Sequence, residues 1–366
     1  MSPPAKLTVG IDARAAVEVK AGRGRLVREL LRVLAQREDS NRYLLYAREV
    51  WTGLEDSERL RWRLIAARDP WWHLRTARLA DQECDVFLST NSYLTPLFMR
   101  KPTISIVYDM IAFDPAMRPN RRSVVVERLT LGAAVRRCDA LIAISQATAD
   151  ALALRFPRAA SRTVVAPLGV TPALASTLNA SEAAVLPPAG FVLAVGTLEP
   201  RKNLPRLIDA YRTLPEPLQR KHPLVVVGAL GWETGETLRA LQSLGERCKM
   251  LGHVSDAALA ELYRRCAVFC YPSLGEGFGL PVLEAMSAGA PVLTSNVSSL
   301  PEVGGDAAAY ADPRDAGEIT RELRALLCDE KYRTDLSRRG PIRAAEFSWE
   351  RFVTESLRHL ETTASR

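Results

Sequence analysis

Histidine is scarce in this chain. The four present, His73, His222, His253 and His359, form no ligand cluster, and neither a structural nor a catalytic metal site is expected. The six cysteines, Cys84, Cys138, Cys248, Cys266, Cys270 and Cys328, include no C-x-x-C pair, which argues against a redox or zinc motif. Cys266 and Cys270 flank a helix end and a strand, where small buried thiols are common, and reduced core cysteines are the expectation. No run approaches the roughly 18 uncharged apolar residues of a membrane span. Met1–Lys6 leads straight into a strand without a signal-peptide core, so a cytoplasmic protein is expected. Internal repeats, low-complexity segments and RNA-binding signatures are also missing.

What remains is an ordinary soluble composition. The 366 residues suit two domains, with 47% hydrophobic and 25% charged residues. The net charge of +7 is uneven: residues 1–170 hold 27 Lys and Arg against 18 Asp and Glu, and the remainder holds 22 against 24. A basic first half suggests an anionic partner, either nucleic acid or an anionic membrane leaflet carrying a lipid-phosphate acceptor. Trp51, Trp62, Trp71 and Trp72 lie among Arg59, Arg61, Arg63, Arg68 and Arg75. Such interleaving suits base stacking, a membrane interface or plain core packing. Without an RNA-binding signature, the membrane is the expected partner and nucleic acid is not.

The most informative stretch runs from Tyr271 to Glu284. An apolar strand, Ala267–Cys270, leads into a loop with glycines at 275, 277 and 279. Pro281 suits the first turn of a helix and Gly289 its stop, and Pro291–Thr294 reads as the next strand. Strand, glycine loop, helix and strand make the βαβ plan of a nucleotide-binding sheet. Glycines let backbone N–H groups approach a ligand, and a helix N-terminus favours phosphate. Glu276 and Glu284 bracket this anion site, where carboxylates suit sugar or ribose hydroxyls. Earlier, Phe191–Gly196 reads as a strand followed by Thr197-Leu-Glu-Pro-Arg201-Lys202-Asn203. Two cations after a strand end can neutralise a departing diphosphate.

Glu276 and Glu284, with seven residues between them in G-E-G-F-G-L-P-x-L-E-A-M-x-x-G-x-P-V, resemble the E-x7-E motif of retaining family 4 glycosyltransferases (GT4). G-x-x-x-x-R-K-N is a second match, and the resemblance covers nearly the whole chain. It implies an α/β protein of the GT-B fold: two Rossmann-like domains facing a cleft, with a C-terminal helix crossing back to the N-terminal domain. The expected boundaries are 1–170 for acceptor binding, 171–345 for the nucleotide-sugar and 346–366 for the helix.

The resemblance also implies site residues. Glu276 would hold sugar hydroxyls near the anomeric centre, and Glu284 the ribose diol. Arg201 and Lys202 would stand in for a metal, with no cofactor required. Gly277, Phe278, Gly279 and Leu280 would line the donor site, and His253 and Val254 would lie by the base through their backbone. Gly22 and Gly24, in a Gly-x-Gly between the strand Leu7–Ile11 and an amphipathic helix, correspond to a glycine pair near the diphosphate. Tyr108–Asp109 stands at the end of the strand Thr103–Val107 where relatives usually show His-Asp. Tyrosine can still donate to a hydroxyl, so Tyr108, Asp109 and the helix-capping Ser145 are acceptor-side candidates, with Asp109 also a catalytic candidate.

The implied reaction moves a hexosyl group from a nucleotide-sugar to a lipid-linked or polysaccharide acceptor, with retention and without a metal. Likeness to bacterial polysaccharide and lipopolysaccharide mannosyltransferases points to GDP-mannose, with peripheral contact at the inner face of the plasma membrane. A UDP-hexose donor, a nucleotide-sugar epimerase of the same fold and a non-catalytic binding module remain open.

Overall fold

The computed structural model describes residues 7–18, 22–114, 121–171, 178, 180–232 and 234–365; Met1–Lys6 and the linker residue Pro172 lie outside them. The chain divides into two compact units. One holds Met1–Phe113, Asn120–Gly169 and Ser348–Arg366, and the other is built on Val170–Phe347.

Unit 1 is organised by seven parallel strands: β1 Thr8–Asp12, β2 Arg42–Ala47, β3 Leu60–Leu64, β4 Val86–Ser89, β5 Thr103–Val107, β6 Ala140–Ala143 and β7 Thr163–Val165. Their order is β3-β2-β1-β4-β5-β6-β7. β4 and β5 are buried throughout, as strands covered by helices on both faces must be. The helix Gly22–Gln36 buries Leu26, Val27, Leu30, Leu31 and Leu34 on one stripe. Fully burying one such leucine contributes about 1.5–3 kcal/mol.

The last helix, Trp349–Ala364, belongs to unit 1 although it follows unit 2 in sequence. Ser348 caps it by accepting from the Arg351 amide at 3.2 Å. Trp349, Phe352, Val353, Leu357 and Leu360 are buried. Arg37 donates to Thr354 at 2.8 Å and Asn41 to Glu361 at 3.3 Å, tying the helix to the first 41 residues.

Unit 2 has six parallel strands: β8 Val192–Val195, β9 Leu224–Val227, β10 Cys248–Gly252, β11 Val268–Tyr271, β12 Val292–Ser295 and β13 Ala309–Ala311. The order is β10-β9-β8-β11-β12-β13. β8 and β11 are therefore neighbours, with Val192 opposite Val268 and Leu193 opposite Phe269. From β8 the chain winds outward to β9 and β10, and from β11 to β12 and β13. This reversal opens a crevice at the carboxyl ends of the two central strands, where ligands of open α/β sheets bind.

Trp62 lies in β3 and is buried, and Trp72 is wholly buried, whereas Trp71 is 64% exposed. Two of the four tryptophans are thus core residues. Ser255 caps the helix Asp256–Arg265, accepting from the Ala258 amide at 3.2 Å.

Candidate active site

The two loops at the centre of the unit 2 sheet carry the charged residues. After β8 the chain makes a tight turn over Pro200–Lys202 and ends it on Asn203 in the left-handed region, at φ 58°. Asn203 is held there by hydrogen bonds from its side-chain Nδ2 to the carbonyls of Pro272 (2.9 Å) and Pro313 (2.6 Å). After β11 the loop returns against this turn: the Leu274 amide donates to the Arg201 carbonyl at 2.9 Å. The two loops are thus fastened by backbone before any side chain is counted.

Glu276, Arg201 and Lys202 meet in this junction. Lys202 Nζ lies 2.8 Å from Glu276 Oε1, and Arg201 Nη1 pairs with Oε2. Ser273 Oγ (2.6 Å) and Tyr271 Oη (2.9 Å) also donate to Oε1. Arg201 is further anchored by Glu199 and by the Gly275 carbonyl at 3.0 Å. The carboxylate side chain is 10% exposed and the cations 18% and 16%.

Burial opposes charge on Glu276, but Arg201 first, then Lys202, outweigh it and hold the carboxyl far below the usual range. Lys202 moves the other way. Burial is the largest cause and Arg201 adds to it, so its pKa lies below the ordinary lysine value although Glu276 opposes the shift. The result is an arginine, a lysine of lowered basicity and a firmly ionised acid at one strand-end crevice.

The glycine loop follows. Gly279, at φ 112°, turns into the helix Leu280–Ser287 with Pro281 in its first turn. Ser299 Oγ donates to the carbonyls of Glu276 (2.9 Å) and Phe278 (2.7 Å), and Ser298 Oγ accepts from the Glu276 amide at 3.0 Å. Phe278 is a packing residue: its ring meets Phe347 edge-on at 5.8 Å. Glu284 lies inside the helix, half-buried, and accepts from Tyr263 Oη at 3.2 Å. His253 is exposed and Val254 half-buried, just beyond β10.

The candidates in unit 1 gather around β5. Gly22 and Gly24 do not form a loop before the helix but lie in its first turn. Between them, Arg23 places its guanidinium 4.9 Å from the centre of the Tyr108 ring and 3.6 Å from Glu127. The Tyr108 hydroxyl turns inward and donates to the Thr90 carbonyl, so its expected role as a donor to a ligand hydroxyl does not match its placement. Burial drives its pKa above the normal range. Asp109 is half-buried and accepts from the Ile111 amide at 3.0 Å. Ser145 is fully buried and caps the helix Gln146–Arg155 through the Thr148 amide at 3.0 Å.

Reading along the chain overlooked Tyr271, Ser273 and Glu199. A signal existed: Tyr271 and Ser273 are two residues apart at a strand end and share a side, and Ser273 precedes Glu276 by three. Among the described residues, no group of three or more His, Cys, Asp or Glu side chains could hold a metal ion.

Two doubly wound parallel sheets, the second carrying ion-paired Glu276, Arg201 and Lys202 where its winding reverses, define a chain of the GT-B type. The chain belongs to glycosyltransferase family 4: the model described as Glycosyltransferase Family 4 matches residues 21–174, and that described as Glycosyl transferases group 1 matches 182–343. It is similar to the O-antigen chain mannosyltransferase B of Escherichia coli, 44% identical over 171 residues, which are 46% of this chain and 45% of that protein. It is also similar to the serotype-specific mannosyltransferase WbdA of Escherichia coli, 35% identical over 265 residues, covering 68% of this chain and 32% of WbdA. The chain thus spans less than half the length of either relative. The solved structure of HepE from Anabaena with UDP-glucose superposes with a TM-score of 0.74 at 18% identity, over 96% of this chain and 99% of that one, a likeness of fold.

Proposed function

We propose that this protein transfers a hexosyl group, with mannose from GDP-mannose the first choice, to a hydroxyl of a lipid-linked or polysaccharide acceptor. The observation that carries the proposal is the convergence of Arg201, Lys202 and Glu276 between the loops after β8 and β11. The relatives named as mannosyltransferases support the choice of sugar. A UDP-hexose is the second choice, because the HepE structure of the same fold holds UDP-glucose.

In this reading the anomeric C–O bond to the diphosphate breaks while a bond to the acceptor oxygen forms on the same face. The acceptor proton passes to the leaving phosphate oxygen, and configuration is retained. Arg201 and Lys202 neutralise the charge growing on the diphosphate, the work a metal does elsewhere, so no cofactor is required. Glu276 orients sugar hydroxyls, Glu284 the ribose diol, and Gly277 to Gly279 add backbone donors. Leu280, His253 and Val254 complete the donor contacts of this unit. Asp109 is the acceptor-side acid, and Ser145 a second acceptor-side residue.

A panel of nucleotide-sugars incubated with the full chain and extracted lipid-linked oligosaccharides, read by mass spectrometry, tests this. The expected result is one preferred donor and a product heavier by one hexose. Lys202→Ala and Glu276→Ala should each lower transfer by at least about 100-fold, the effect of losing one charge-stabilising group. Turnover of donor without acceptor into an isomeric nucleotide-sugar would instead identify an epimerase. Near-normal transfer in Lys202→Ala would refute the leaving-group role.

A further inference from the structure

We propose that Tyr271 is a positioning residue: its hydroxyl, set between the Lys202 ammonium and the Glu276 carboxylate, keeps the lysine charged and the acid aimed while a diphosphate draws on the two cations. This rests on the reading of Arg201 and Lys202 as the diphosphate site.

The geometry is a closed triangle. Tyr271 is the last residue of β11 and is 3% exposed. Its Oη accepts from Lys202 Nζ and donates to Glu276 Oε1 at 2.9 Å. Lys202 reaches the same Oε1 at 2.8 Å, and its ammonium lies 4.8 Å from the centre of the Tyr271 ring. The ring is fixed from behind by stacking on Phe269 at 5.7 Å.

The two ends of Glu276 are held differently. Oε2 depends on Arg201, and Oε1 receives Lys202, Tyr271 and Ser273. Both cations are attracted to an incoming diphosphate, which carries more negative charge than a carboxylate. A neutral phenol is not drawn away in the same manner. Tyr271 and Ser273 therefore stay on Oε1 when the cations turn to the ligand, and Glu276 keeps its direction and its charge.

The same hydroxyl matters for Lys202. The groups facing this lysine are Glu276 and Glu199, which favour the ammonium, and Arg201, which with burial favours the neutral amine. Tyr271 Oη accepts a hydrogen bond from Nζ, which adds to the side of the ammonium. Burial, then Glu276, raises the Tyr271 phenol well above its normal value, so it remains protonated where the lysine titrates. An ammonium exists below its pKa, so anion binding falls as pH rises through that value. Removing the phenol moves the fall to lower pH.

The test uses the full chain, with GDP and UDP as probes in calorimetric titrations from pH 7 to 10.5. Wild type is expected to bind one of them at pH 7 and to weaken at alkaline pH. Tyr271→Phe keeps the ring and its packing. It is expected to reach a tenfold loss of affinity at a pH about one unit lower and, with the preferred donor, to lose more in kcat than in KM. If that variant does not fold, 3-fluorotyrosine at position 271 replaces it. Its phenol oxygen is a weaker acceptor, and a smaller shift in the same direction is expected. Binding profiles that coincide with wild type, in a folded Tyr271→Phe or in the fluorotyrosine chain, overturn the role of Tyr271 alone. Failure of wild type to bind either nucleotide overturns the diphosphate site itself.

Discussion

Glu276 is the residue on which most of the local electrostatics turn. Its carboxyl is ionised against the cost of burial because two cations and two hydroxyls surround it. Removing one partner of a buried ion pair is costlier than the pair is worth, because the other partners stay buried and uncompensated, a loss of about 3–5 kcal/mol. Glu276→Gln should therefore lower the stability of the unit 2 transition in urea at pH 7. A carboxyl whose folded pKa is depressed contributes fully above its unfolded value of about 4.3. The contribution disappears as pH falls below that value. The gap between wild type and Glu276→Gln should thus narrow from pH 5 to pH 2. A gap that stays constant over that range would mean the ion pairs do not hold the loop.

The glycines separate into two kinds once their surroundings are known. Gly279 needs its φ of 112°, and a Cβ there would meet Leu300 Cδ2 at 2.9 Å. Gly279→Ala should destabilise the loop and helix by about 1–3 kcal/mol. Gly22 begins a helix and has nothing within 4 Å of where a Cβ would stand. Gly22→Ala should therefore keep or slightly raise the melting temperature, since alanine is the better helix former. Lower donor affinity in a stable Gly22→Ala would indicate close approach of a ligand; a marked drop in its melting temperature would contradict this account of the helix start. Elements overlooked along the chain share a cause. β3, Leu-Arg-Trp-Arg-Leu, is an edge strand whose arginines imitate a charged loop. The helix Glu330–Ala344 contains Gly340 and Pro341, residues that normally punctuate helices, and contact with the helix Leu280–Ser287 outweighs that propensity.

For the molecule as a whole, the excess of positive charge lies in the first 170 residues, and the surface of unit 1 adds apolar groups to it. On the helix Arg121–Arg137, Val125, Val126 and Leu129 are 58%, 59% and 69% exposed, with Arg128 beside them. Arg128 and Arg155 both lie over the Phe113 ring, which brings the end of the helix Gln146–Arg155, with Leu154 at 87% exposure, to the same region. No helix among the described residues is long and apolar enough to cross a membrane. A basic surface with protruding apolar side chains suits adsorption to anionic lipid, at about 1 kcal/mol per cation near the surface. Sedimentation with phosphatidylglycerol vesicles is expected at low salt, with release at about 0.5 M salt and loss in Val126→Glu/Leu129→Glu. Equal sedimentation of that variant and wild type would exclude this face.

The glycine loop, the E-x7-E spacing and the Arg-Lys pair are legible along the chain because each answers to a local demand. Close backbone approach requires glycine, and a strand end facing an anion requires charge. The contacts among them answer to no local rule. Lys202 and Glu276 are 74 residues apart, and Lys202 and Tyr271 are 69 apart. They touch because β8 and β11 are neighbours in a sheet that winds outward from both. The inward turn of Tyr108 onto Thr90 and the bridging place of Tyr271 follow from packing of the same kind. Residue type declares what chemistry is available, and chain topology selects which groups share it, since hydrogen bonds and ion pairs depend on distance in space and not on order along the polymer.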